Sequence, residues 1–110
     1  MTAADDFTTR LRADLTPALR RREQPAVRAI RTLMAAVSNA EAPPIDAAPL
    51  EVRGELVEHQ RRSLTAADLA AIVAHQIADR DDTIATYRAN GRDDAADELQ
   101  QEIDALRAYA

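Results

Sequence analysis

Apolar residues recur along this chain at steps of three and four, the interval at which side chains return to one face of an α-helix. The pattern predicts four helices. The first runs from about Asp6 to Arg22, with Phe7, Leu11, Leu15, Ala18 and Leu19 on one stripe and Asp5 or Asp6 placed to accept from the free N–H groups at its start. Pro17 falls opposite that stripe, where losing one backbone hydrogen bond bends the helix without ending it. The second helix starts near Pro25, whose fixed φ and missing N–H suit a first turn, and continues to about Ala40 through Val27, Ile30, Met34 and Val37. So short a connection predicts an antiparallel hairpin.

Beyond Ala40 the periodicity fades. Residues 42–63 contain Pro43, Pro44, Pro49 and Gly54, and are expected to make an irregular excursion across the bundle, with a short helical turn between Glu55 and Arg62. The third helix has sharper ends. Thr65 and Asp68 fit a capping box, Leu69, Ile72, Val73, Ile77, Ile84 and Tyr87 carry one face, and Gly91 supplies a left-handed stop after Asn90. Asp93 is then placed to cap a fourth helix bearing Ala96, Leu99, Ile103, Leu106 and Ala110. The expected fold is all-α: one domain over residues 1–110, an antiparallel bundle of four main helices with a long, partly irregular connection between the second and third.

Composition strengthens the helical reading. Of 110 residues, 25 are Ala, a strong helix former and a poor strand residue, while Leu, Ile and Val together number 21. The core must therefore be thin and its helices closely spaced. The absence of Cys removes disulfides, thiolate nucleophiles and thiolate metal sites. The longest apolar run, Leu69 to Ala74, is far short of the roughly 20 residues that span a bilayer, so no membrane association is expected. Met1 to Asp6 lacks the features of a signal peptide, and a cytoplasmic location follows as the expectation.

The formal net charge of −5 hides a polarity along the chain. Between Arg10 and Arg31, seven Arg face only Asp14 and Glu23, a local charge of +5. Between Asp79 and Asp104, three Arg face nine acids, a local charge of −6. A uniformly basic nucleic-acid coat is thereby excluded.

Two blocks carry a family resemblance. Ala29-Ile30-Arg31 followed by Ala35-Ala36-Val37-Ser38-Asn39-Ala40-Glu41 forms the first; Arg80, Ile84, Tyr87, Gly91-Arg92-Asp93-Asp94, Glu98, Glu102-Ile103, Leu106 and Tyr109 form the second. In this order they resemble the N-terminal helical domain of the YqeY family, small proteins grouped with the GatB subunit of the tRNA-dependent amidotransferase. Family members typically continue past the Tyr into Leu-Pro and a further small helical domain. The sequence stops at Tyr109-Ala110, so that tail-like domain is expected to be absent.

Arg80 falls near the centre of the third helix's apolar stripe. A guanidinium there needs carboxylates, and Asp14 or Glu102, flanking the stripes of the first and fourth helices, are the candidates; Arg31 flanks the second-helix stripe in the same way. Arg31, Arg80, Asp14 and Glu102 are thus the candidate structural ion-pair residues. Arg20, Arg21, Arg22 and Arg28, with Arg10 and Arg12 nearby in sequence, are the candidate RNA- or anion-binding surface. His75 and Asp79 lie one helical turn apart, a pair too small for a metal site. Ser38 and Ser63 have no nucleophile setting, and no catalytic, metal or cofactor constellation is found. The expected role is a non-catalytic helical adaptor, with tRNA or another structured RNA as partner and translation as the process the resemblance implies. Protein–protein association, including a homodimer, is the alternative. The resemblance also implies a third, an accessory to the glutamine-dependent tRNA amidotransferase, a carbon–nitrogen ligase.

Overall fold

The first helix, α1 (Ala3–Arg20), begins where Thr2 and Asp5 satisfy each other's backbone. The Thr2 hydroxyl accepts from the Asp5 N–H at 3.0 Å and the Asp5 carboxylate accepts from the Thr2 N–H at 3.3 Å. Asp5 is therefore the inner partner of a capping box, and the helix starts ahead of the expected Asp6. The structure, a computed structural model, describes residues 2–42 and 62–110. Pro43, Pro44, Pro49, Gly54, His59 and the turn expected from Glu55 lie outside the described residues.

Helix α1 passes through Pro17, so this proline does not end it. It closes with the Arg22 N–H donating to the Leu19 carbonyl and the Glu23 N–H to the Ala18 carbonyl, at 3.1 and 3.0 Å. That pairing needs a left-handed residue between the helix and the returning chain, and Arg22 takes it with φ 55°. Helix α2 (Gln24–Glu41) follows at once, with Pro25 in its first turn and no side chain capping its start. Helix α3 (Ala66–Ala89) opens with the expected Thr65–Asp68 capping box. It ends like α1, except that Gly91, at φ 72°, occupies the left-handed position. Helix α4 (Asp93–Arg107) takes Asp93 and Asp94 into its first turn; Asp93 is a helical residue and not the cap, its charge favoured there by the helix dipole. No strand occurs among the described residues, and none of their helices is long and apolar enough to cross a membrane.

The short turns make α1–α2 and α3–α4 into two hairpins. The Arg62 N–H donates to the Glu41 carbonyl at 2.8 Å, so α3 begins where α2 ends. Helix α2 is the central helix, packed against both α1 and α4, while α3 leans mainly on α4. Leu11, Leu33, Val73 and Leu106 meet in the main core, drawn from all four helices. Leu11, Leu33, Ile103 and Leu106 are closed to water, and truncating such a residue to Ala costs about 2–5 kcal/mol. A second, smaller core of Ile84, Ala96 and Ile103 belongs to α3 and α4 alone. Ile77 touches both.

Three apolar expectations shift. In α1 the buried residues Ala4, Leu11 and Ala18 recur every seven positions, and Leu19, one residue around from that line, stays 44% exposed. In α2, Leu33 is fully buried and Met34 only half-buried, because α2 is covered on two sides. At the end of the chain Tyr109 is buried and Ala110 exposed.

Candidate functional site

The buried charges gather where α2, α3 and α4 meet. Arg80 occupies the α3 stripe between Val73 and Ile84, with 9% of its surface exposed. Its Nε donates to Glu102 Oε1 at 3.0 Å. Arg28, from the first turns of α2, donates through its Nε to the other oxygen, Glu102 Oε2, at 3.1 Å. One carboxylate, itself 6% exposed, thus bridges two guanidinium groups. Arg80 Nη1 also donates to the Gln76 carbonyl and to Gln76 Oε1, at 3.1 and 2.9 Å. No buried side-chain polar atom among the described residues lacks a hydrogen-bond partner. A desolvated pair of this kind adds little net stability, but it penalises any packing that separates its members.

Of the four expected ion-pair residues, Arg80 and Glu102 are brought together and two are not. Asp14 does not reach Arg80; its Oδ2 accepts the Tyr109 hydroxyl at 2.5 Å. Arg31 is exposed on α2 and forms no ion pair among the described residues, its position lying just outside the Val27–Ile30–Leu33 line. Arg28, expected on the anion-binding surface, is held by Glu102 and, at 3.8 Å, by Glu98. Gln76 was missed; the signal was its place four residues before Arg80 on the same face.

Tyr109 forms a second polar cluster. Arg10 donates to the Ala108 carbonyl at 2.6 Å and places its guanidinium 4.6 Å from the centre of the Tyr109 ring, and Phe7 meets that ring edge-on. Burial, first, and then the Asp14 carboxylate push the Tyr109 hydroxyl well above the usual phenol range. These contacts fasten the end of α4 to α1.

The α1–α2 turn is different. Arg20, Arg21 and Arg22 are all exposed there. Arg21 reaches Glu23 only at 3.9 Å, and Arg20 and Arg22 form no ion pair among the described residues. Arg22 and Gln24 border Gln101 of α4 across a shallow cleft. Along α4 beyond Gln101 the surface turns acidic with Asp97 and Asp94, and Arg88 crosses the α3–α4 turn to Asp97 at 3.1 Å. His75 and Asp79 form an exposed pair at 3.2 Å, and no group of three or more His, Cys, Asp or Glu able to hold a metal exists among the described residues.

The architecture is that of a four-helix bundle whose interior charge is consumed internally. The family described as Yqey-like protein matches residues 8–110, and the chain belongs to that YqeY family. No curated protein and no solved structure gave a significant match.

Proposed function

We propose that this YqeY-family protein is a non-catalytic helical adaptor that contacts the phosphate backbone of structured RNA, tRNA above all, through its α1–α2 turn. The carrying observation is the state of Arg20, Arg21 and Arg22: three adjacent guanidinium groups face solvent, Arg20 and Arg22 form no ion pair among the described residues and Arg21 reaches only Glu23 at 3.9 Å, while Arg28 and Arg80 are tied to Glu102. Arg22 also holds a left-handed backbone that a glycine would adopt at less cost. The aromatic residues favour backbone contact over base stacking. Phe7 and Tyr109 are packed together, and the Tyr87 ring is covered by Arg92 at 5.1 Å. The acidic α3–α4 hairpin repels a polyanion and restricts its approach to the basic end.

The test is a titration of labelled tRNA at several salt concentrations, with the native chain and with Arg20, Arg21 and Arg22 changed to Gln. Neutralising three phosphate contacts lowers the slope of log affinity against log salt by about 2–3. Salt-insensitive binding, no binding, or an unchanged slope in the triple variant refutes the reading.

A further inference from the structure

Between the α1–α2 turn and α4 runs a cleft of about 460 Å³, within the roughly 300–1,000 Å³ range of small-molecule sites. Its apolar part is made by Pro25, Ala26 and Ala105, all half-buried. Two amides border it, Gln24 from the first turn of α2 and Gln101 from α4, and Arg22 joins it to the arginine turn. Both amides are exposed. They also differ from two other glutamines of the bundle: Gln76 accepts from Arg80 and Gln100 donates to Asp104, whereas the side chains of Gln24 and Gln101 form no hydrogen bond among the described residues.

Glu23 decides what the cleft can take. Its carboxylate lines the same walls and meets only Arg21, at 3.9 Å, so a phosphate inside would face a negative charge. A neutral group rich in donors and acceptors would not. Each amide offers one carbonyl acceptor and two N–H donors, and the carboxylate accepts, which together match the edge of a nucleobase. No aromatic side chain lines the cleft, so a base there is held by its edge and by apolar contact, not by stacking. A base that is paired and stacked in a duplex cannot enter; one in a loop, bulge or single-stranded end can.

Resting on the phosphate-binding role of Arg20, Arg21 and Arg22, we infer that this cleft seats an unpaired base of the same RNA, its edge hydrogen-bonded to Gln24 and Gln101. The arginines hold the backbone on the outside of the turn. The cleft then selects RNA in which an unpaired nucleotide adjoins the bound phosphates, which a uniform duplex lacks.

The test compares three labelled hairpin RNAs that share one duplex: a blunt one, one with a short unpaired 3′ extension, and one whose extension keeps its phosphates but has abasic sugars. The native chain is expected to bind the extended RNA about tenfold more tightly than the abasic one, the worth of two neutral hydrogen bonds. Changing Gln24→Ala with Gln101→Ala is expected to bring that ratio close to one; both positions are exposed, and circular dichroism checks that helicity is kept. Equal affinity of the native chain for the extended and abasic RNAs, or a ratio that survives in the double variant, overturns the inference. The phosphate reading still stands in that case if all three RNAs bind with a salt dependence that the Arg20, Arg21 and Arg22 to Gln variant reduces. Failure of all three to bind overturns both.

Discussion

Glu102 is the residue on which the interior charge depends, and its loss has a calculable consequence. In Glu102→Leu the volume is nearly kept, but the Arg80 guanidinium, nine-tenths buried, keeps only the Gln76 oxygens as acceptors. An uncompensated buried charge costs about 3–5 kcal/mol. The half-exposed Arg28 loses less, since it can turn to water and to Glu98. Arg80→Met is the milder change, because Glu102 retains Arg28 at 3.1 Å; about 1–2 kcal/mol follows from the lost hydrogen bonds, partly offset by apolar contact. In the double variant the charge stranded by Glu102→Leu is gone, so its loss is expected to fall short of the sum of the two single losses by about 1–3 kcal/mol of coupling. Urea unfolding followed by circular dichroism, with a common slope across the set, measures all three. Equal losses in the two single variants, or additive losses in the double, refute the reasoning.

Removing the Tyr109 hydroxyl in Tyr109→Phe costs about 1 kcal/mol near neutral pH through the bond to Asp14. It also changes the alkaline limb. The folded phenol ionises later than the unfolded one, whose ordinary value is 10.0, so this stabilisation is complete below that pH and is lost as pH rises above it. Urea midpoints from pH 8 to 11 are expected to fall in the native chain and to fall less in Tyr109→Phe. Arg22→Gly relieves a left-handed residue at φ 55° and is expected to raise stability by about 0.5–1 kcal/mol while weakening tRNA binding. A thermal scan together with the RNA titration separates the two effects.

The helices could be read from the sequence because their signals are local. Thr65 with Asp68, the turn at Gly91 and the apolar steps of α3 need no knowledge of neighbours, and each is where the spacing put it. Arg80 could be located on a buried face for the same reason. Its partner could not: Asp14 and Glu102 flank their stripes equally well, and only the packing of α4 against both α2 and α3 selects Glu102 and leaves Asp14 to Tyr109. The pairing of Arg28 with Glu102 has no local signal, because sequence adjacency to Arg20–Arg22 says nothing about a carboxylate 74 residues away. Leu19 falls outside the buried stripe of α1 and Leu33 inside that of α2 because the width of a helix's buried stripe depends on how many neighbours cover it. The left-handed Arg22 carried no signal at all, as arginine is not the residue that such a turn prefers.

Charge inside the bundle holds Arg80 and Glu102 together, and in the function proposed above recognition belongs to the arginine turn. The most direct measurement is the tRNA affinity of Arg80→Met at a temperature where it is fully folded. An affinity equal to that of the native chain, with the Arg20, Arg21 and Arg22 to Gln variant alone weakened, is the expected result. A loss in Arg80→Met as large as in the triple variant contradicts the claim, because the buried guanidinium would then be taking part in binding.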